Sequence, residues 1–299
     1  MKSAAPEQIL SSKPNDRANS ILDKQAQLNR STRGQWGLYA SHRQEIERLL
    51  VPPLRGGRIC VLGAGNCNDI DLQWLAQVYR EVHLVDIDGD ALEAAAKRQE
   101  VEGSSNVQLH GGVDLTGVAD LLGTWAQRPP TVEAVETCTR RAAGPPAEWA
   151  AEFGGAFDAV LSPCVLSQLI TPVRDSIGEA HPGFAALLAA IRSRHLLTMV
   201  DLLAPGGRGV FVTDLLSSAR YADLAKVAKE QLPGLMRTFV GDGKYFGGLD
   251  PGAIAGVLKN EPGLANRVGD LKAAAPWLWH LGLNKAYLVY AICFRRRGT

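Results

Sequence analysis

Two glycines and a short series of acids, at set distances, carry the clearest chemical pattern in this chain. Arg58-Ile-Cys-Val-Leu-Gly63-Ala64-Gly65-Asn66-Cys67-Asn68-Asp69 reads as a buried strand running into a bend without side chains, with a helix expected to open near Asn68 or Asp69. Glu81-Val-His-Leu-Val-Asp86-Ile87-Asp88 is a second apolar strand, and it ends in an acid. Glycines let a backbone approach a ligand closely, and a helix N-terminus offers free N–H groups. An acid about twenty residues beyond the bend can accept hydrogen bonds from the hydroxyls of a ribose, and Asp86 stands at that reach. Asp88 competes for that role but can equally serve as a turn residue before the next helix. The pattern is the nucleotide half-site of a doubly wound sheet.

The elements that must position these residues follow from the apolar spacing. Ile70, Leu72, Leu75, Val78 and Tyr79 fall at helical intervals. Asp90-Ala-Leu-Glu93 is a capping-box variant that starts the next helix, which runs to about Val101. Val107 to His110 is a third strand, leading into Gly111-Gly-Val-Asp114-Leu115. Residues 115–156 are too long for one crossover helix, and their proline pairs imply two or three short ones. Phe157 to Ser162 is strand four, Phe184 to Leu203 a strong helix, and Arg208 to Thr213 strand five, after Gly206-Gly207. Residues 214–250 are irregular in pattern, with a helical run at Ala219–Gln231; Pro251 to Leu258 is a short helix. Pro276 to Leu281 and Ala286 to Arg295 form a terminal hairpin.

The expected architecture is α/β: a doubly wound, mostly parallel seven-stranded sheet with an antiparallel C-terminal hairpin over residues 57–299. Residues 1–56 form an N-terminal helical lead-in, built on apolar marks from Ile21 to Leu50 and broken between Ser31 and Gly37. The 115–156 insertion and a cap-like 214–250 segment would cover one side of the sheet.

Composition sets bounds on partners. A net charge of +1 supplies no global field toward nucleic acid or an anionic membrane, and no cluster of basic and aromatic residues stands out. The expectation therefore points away from nucleic acid. No run approaches the roughly 20 apolar residues of a membrane helix, and no apolar segment follows Met1 as a secretory signal requires. Five cysteines contain no Cys-x-x-Cys pair, which suits a disulfide-free cytoplasmic protein. The six histidines show no close metal-ligand spacing, so no metal is expected. Oligomeric state is not legible.

The bend does not by itself decide the ligand. A dinucleotide fingerprint spaced from Gly63 and Gly65 wants glycine at position 68, which is Asn68. Over residues 57–297 the chain resembles the class I S-adenosylmethionine (SAM)-dependent methyltransferases. The matching pieces are Val61-Leu-Gly-Ala-Gly65, Leu84-Val-Asp-Ile-Asp88, Gly112-Val-Asp114, Phe157-Asp-Ala-Val-Leu-Ser-Pro-Cys-Val-Leu-Ser-Gln-Leu169 and Leu203-Ala-Pro-Gly-Gly-Arg-Gly-Val-Phe-Val-Thr213. The family's antiparallel last strand matches the hairpin. Two positions depart from its glycine motif: Val61 replaces an acid and Cys67 a third glycine. Asn66, Asn68 or Asp69 could stand in for the missing acid.

The resemblance implies SAM as methyl donor, held by Gly63, Ala64, Gly65, Asn68, Asp86 and Ile87, with Asp114, Leu115, Ser162 and Pro163 completing the site. Methyl transfer from a sulfonium is an in-line displacement on an activated donor, so the protein mostly aligns the acceptor. A base is needed only where the acceptor must lose a proton. Tyr39, His42 and Tyr245 are the catalytic candidates, each with a plainer reading as packing or surface residues. Trp36, Tyr39 and His42 share a helical face that could cap the pocket or simply dock the lead-in on the core. Gln168, Lys244, Trp279 and His280 are further possibilities, while Cys164 reads as a packed thiol. The expected acceptor is a small molecule. The competing readings are an NAD(P)-dependent oxidoreductase or an aminopropyl transferase on the same sheet, and a non-catalytic SAM-binding or scaffold protein.

Overall fold

The computed structural model describes residues 15–51, 56–125, 128–146, 148–283 and 285–298. Its centre is β1 (Arg58–Leu62), buried at every position because helices cover both faces of the sheet. β1 pairs in parallel with β2 (Glu81–Val85) and β4 (Phe157–Pro163). β3 (Val107–His110) extends the sheet beyond β2, and β5 (Leu203–Ser217) beyond β4, both in parallel. β8 (Ala286–Arg296) then runs antiparallel to β5. Its two halves carry β6 (Val268–Ala273) and β7 (Trp277–His280), also antiparallel. The strand order is β3-β2-β1-β4-β5-β8-β6, with β7 beside β8.

Alternation along the strands divides the core in two. Ile59, Val61, Val210 and Val212 face the side covered by α2 (Ala40–Leu50), α3 (Leu72–Val78) and α4 (Gly89–Arg98). Cys60, Leu62, Phe211 and Leu215 face α8 (Leu166–Ile177), α9 (Phe184–Leu202) and α11 (Pro251–Asn260). Residues 115–156 supply α5 (Ala119–Trp125), α6 (Val132–Ala142) and the single turn α7 (Trp149–Glu152); α5 and α6 pack a third apolar cluster against α8 and α9. The lead-in adds α1 (Asn15–Thr32), which lies against α5.

The structure corrects the sequence reading in several places. The sheet has eight strands among the described residues, because Val268-Gly-Asp-Leu-Lys-Ala273, weak in pattern, pairs with β8 at the edge. α3 opens at Leu72 rather than at Asn68 or Asp69, since Asp71 caps it by accepting from the Trp74 amide. Asp88, not Asp90, caps α4 through the Ala91 amide. The run at 219–231 forms only two 3-10 turns, and the helix there is α10 (Leu232–Gly241), whose Pro233 sits in its first turn. β5 already begins at Leu203: a register shift against β4 between Phe157 and Ala159 takes up Pro205-Gly206-Gly207.

Histidines that look alike in sequence are buried differently. His83 and His110, on neighbouring strands, bring ring nitrogens within 2.9 Å. His195 on α9 is wholly buried, with Nε2 2.8 Å from the Ser162 hydroxyl, and burial lowers its pKa to about 4. Its ordinary value is near 6.5, so between those values the unfolded chain binds a proton that the native state refuses. His195 therefore costs stability progressively as pH falls from about 6.5 toward 4. Compared with His195→Gln, the wild type should lose about 2 kcal/mol more stability between pH 7 and pH 5, measured by urea unfolding. Parallel pH profiles for the two proteins would contradict this.

Candidate functional site

The bend after β1 is shaped by its lack of side chains. Gly63 and Gly65 have φ of 70° and 47°, a left-handed region that glycine enters freely. A Cβ on Gly63 would fall 2.1 Å from Val165 Cγ2 at the start of α8. Cys67 is also left-handed, at φ 50°, in the place where the resembled family has its third glycine. A buried thiol is tolerated at this left-handed position.

Asp86, at the end of β2, ties this bend to the sheet. Its Oδ2 accepts from the Gly65 amide at 2.8 Å and its Oδ1 from the Asp88 amide at 2.9 Å. Burial nevertheless raises its pKa to about 6, against the lowering effect of those amides. Asp88 is occupied elsewhere: one oxygen caps α4 and the other accepts from Asn29 Nδ2 at 2.9 Å.

The lead-in closes over the same bend by polar contacts. Asn66 Nδ2 donates to the Asn29 carbonyl and to Thr32 Oγ1, and Asn68 Nδ2 to the Thr32 carbonyl. Arg43 donates to the Asn68 carbonyl and Arg98 to the Asn66 carbonyl, with Trp36 against both guanidinium groups. Trp36 therefore serves the bend's framework and lines no described cleft.

Two clefts meet at Gly63 and Asp86. The first, about 540 Å³, is mostly apolar, with Ile87, Val113, Leu115, Leu122 and Val165 around it. The second, about 860 Å³, is polar and takes in Ala64, Gly65, Asn66, Asn68, Asp69 and Asp214. A third, about 670 Å³, opens beyond Ser167 and Gln168 toward Phe184, Phe246 and Tyr287. Asp114 lines the first cleft, but its own loop claims both oxygens, which accept from Thr116 and from the Ala119 amide.

Ser162 and Pro163 are not brought to any of these clefts. The pleat turns Ser162 inward onto His195, and the chain reaches the cavity only afterwards, through Cys164, Val165, Ser167 and Gln168. Cys164 is a packed thiol, pushed well up in pKa by burial, with Sγ 3.9 Å from His42 Nε2.

Of the catalytic candidates, only Tyr39 lines a cleft. Burial, then nearby Asp69, raises its pKa, so the phenol keeps its proton. His42 is fully buried: its Nδ1 accepts from Trp277 Nε1 at 3.0 Å, its ring stacks on Trp279 and its Nε2 is 3.3 Å from Asp69 Oδ1. Tyr39 also packs against Trp279, and this aromatic group docks the lead-in on β7. Tyr245 lies outside all three clefts, beside Asp250 and Arg192. Lys244 is exposed and paired with Asp242, and His280 is exposed on a separate groove with Ser41 and Glu45. Gln168 and Trp279 do line the cavity.

Sequence reasoning missed Asp214, Ser167, Tyr287, Asn29 and Thr32, all of which line the second cleft. The available signal for Asp214 was a lone acid inside the apolar run Val210-Phe-Val-Thr-Asp-Leu-Leu216.

Two oxygens around the second cleft, Asn66 Oδ1 and Asn68 Oδ1, are buried without a hydrogen-bond partner, while Asp69 Oδ1 faces the protonated Nε2 of His42. Buried acceptors left unpaired are costly, and such a group suits a ligand that donates. Among the described residues no group of three His, Cys, Asp or Glu could hold a metal, and no helix is long and apolar enough to cross a membrane.

The strand order β3-β2-β1-β4-β5 with a reversed β8 decides the architecture. The fold is Rossmann-like, with the reversed final strand of the class I methyltransferases. No protein-family model matches the chain, and no curated protein matches it in sequence. Similar solved structures include an O-methyltransferase family protein from Burkholderia thailandensis (14% identity, 97% of this chain and 64% of that one, TM-score 0.46). Another is the 1,6-didemethyltoxoflavin N1-methyltransferase of the same organism, with S-adenosylhomocysteine bound (14%, 98% and 95%, 0.44). A third is an rRNA methylase from Streptococcus thermophilus (12%, 85% and 95%, 0.40). The likeness is one of fold, which the strand order establishes independently. It corrects one expectation: with an rRNA methylase among these structures, the reading that pointed away from nucleic acid does not stand. That reading rested on overall charge, which leaves a local patch open.

The bend's geometry is open to a direct test. Gly63→Ala should destabilise the protein by about 1–3 kcal/mol, through backbone strain and the clash with Val165. Gly112→Ala, also left-handed at φ 76° but with nothing within 4 Å of the new Cβ, should lose only about 1 kcal/mol. Equal losses in chemical denaturation would show that Val165 does not crowd the bend.

Proposed function

We propose that this chain is a SAM-dependent methyltransferase. The observation that carries the reading is the meeting of an apolar cleft and a polar cleft at Gly63 and Asp86. The apolar side, with Ile87, Val113 and Leu115, suits a purine ring. Asp86 stands where a ribose diol can donate to a buried carboxylate. The side-chain-free bend admits the donor's tail, and the unpartnered oxygens of Asn66 and Asn68, with the Asp69 carboxylate beside them, suit its α-ammonium group. They supply the acceptors that the family's missing acid would otherwise provide at Val61.

Bound there, the sulfonium supplies an already activated methyl group for in-line transfer. The chain's own part is to hold the donor, exclude water with the lead-in and align an acceptor arriving through the third cleft. Tyr39, still protonated, can donate a hydrogen bond to either ligand. Five free cysteines, four of them buried, support a reducing, cytoplasmic setting.

Titration calorimetry with S-adenosylhomocysteine, and with NADH as the control, tests the reading. The demethylated product should bind and NADH should not; the reverse would remove the proposal. Asp86→Ala should weaken product binding by about 10–100-fold, as loss of a charged hydrogen-bond acceptor does. Asp86 must be ionised to accept both ribose hydroxyls, and its pKa lies at about 6 in the free protein. Affinity should therefore be steady above pH 7 and fall as pH drops through 6. That dependence should vanish in Asp86→Asn, and its persistence there would assign it to another group.

A further inference from the structure

Asp214 has no role in holding the donor as described above, yet its placement is unusual. It is only 7% exposed, on β5, and lines both the second and the third cleft. A bulge in the pairing of β5 with β8, between Asp214 and Leu216, re-aims the strand at this residue. The groups that face it are the Ser167 hydroxyl on α8, His42 on α2, Asp69 after the bend, the packed Cys164 thiol, and Tyr287 and Tyr290 on β8. The Ser167 hydroxyl also points to the Cys164 carbonyl, and His42 is engaged by Trp277. No lysine or arginine neutralises Asp214 among the described residues. Lys285, which lines the second cleft, stands exposed at its rim.

A buried carboxylate without a lysine or arginine partner is costly: burial raises the pKa of Asp214 and Asp69 adds to this, against the Ser167 hydroxyl, its own amide and His42, which lower it. A carboxylate or phenolate acceptor would meet two like charges in this cavity. A neutral amine meets no like charge, and the positive charge that its nitrogen gains as the N–C bond forms meets a complementary one. We propose that Asp214 is a catalytic residue that faces the methyl being transferred, binds an amine acceptor there and takes its proton. The inference rests on the methyltransferase reading. The amine's lone pair forms the new N–C bond as the methyl carbon–sulfur bond breaks and its electron pair passes to sulfur. The nitrogen, now positively charged, gives its proton to the Asp214 carboxylate, leaving a neutral methylated amine and neutral S-adenosylhomocysteine. Solvent then removes the proton from Asp214 when product leaves.

Sinefungin, in which an amine-bearing carbon replaces the methylated sulfonium, places an ammonium at that position and reads it without an identified acceptor. By calorimetry at pH 7.5 the wild type should bind sinefungin at least about ten-fold more tightly than S-adenosylhomocysteine. Asp214→Asn should reduce that ratio to near one and leave S-adenosylhomocysteine affinity within about two-fold. A ratio unchanged by the substitution would overturn the assignment, and so would a loss of S-adenosylhomocysteine binding confined to the variant, which would make Asp214 a donor ligand. Failure of the wild type to bind S-adenosylhomocysteine would instead remove the underlying methyltransferase reading. Thermal unfolding monitors the fold, and Asp214→Ser carries the same comparison if Asp214→Asn does not fold.

Discussion

Asp86 holds the end of β2 against the bend after β1, with one oxygen on the Gly65 amide and the other on the Asp88 amide. Burial works against its charge, and the two amides work for it. Everything around the cavity is arranged about this compromise. The bend follows its left-handed path because its third residue is glycine and its amide has a carboxylate to bond. Asp88 is free to cap α4 and to hold Asn29 because Asp86 already serves the bend. The clefts meet at this carboxylate, so its environment decides what the cavity can recognise.

The lead-in belongs to the same arrangement. Its aromatic residues, Tyr39 with Trp279 and His42 with Trp277, give it a packed seat on β7. Polar contacts then tie it to the bend, where Arg43 of the lead-in and Arg98 of α4 hold carbonyls and Asn66 and Asn68 bond back to the end of α1. Packing fixes where the lead-in sits, and hydrogen bonds fix what it covers. This division places polar acceptors around the second cleft and leaves the first one apolar.

Much of this was legible along the chain, because the bend and the strand-end acid are local patterns. Gly63, Gly65 and Asp86 need only their own neighbours to be read. Asp88 and Asp114 have the same residue type, but the use of Asp88 as a cap depends on where α4 actually begins, which spacing placed two residues off, and that of Asp114 on how its loop folds back toward Thr116 and Ala119. Ser162 was misplaced because position at a strand end says little about which face the pleat gives it. Asn29 and Thr32 were invisible, since their partners at 66, 68 and 88 lie more than thirty residues away. β6 escaped because an edge strand needs only one partner and can tolerate Gly269 and charged residues. Asp214 was the opposite case: an acid in an apolar run is a visible anomaly, and its meaning appears only with the bulge that turns it.

β8 is the last strand of the sheet to be synthesised, yet it lies between β5 and the β6–β7 edge. Until it is made, the long β5 has one side unpaired, with a largely apolar sequence along it. A nascent chain therefore carries an open template for wrong pairing through the whole of residues 218–285. The parallel half can assemble early, but the molecule becomes safe from its neighbours only when its final strand slots into place.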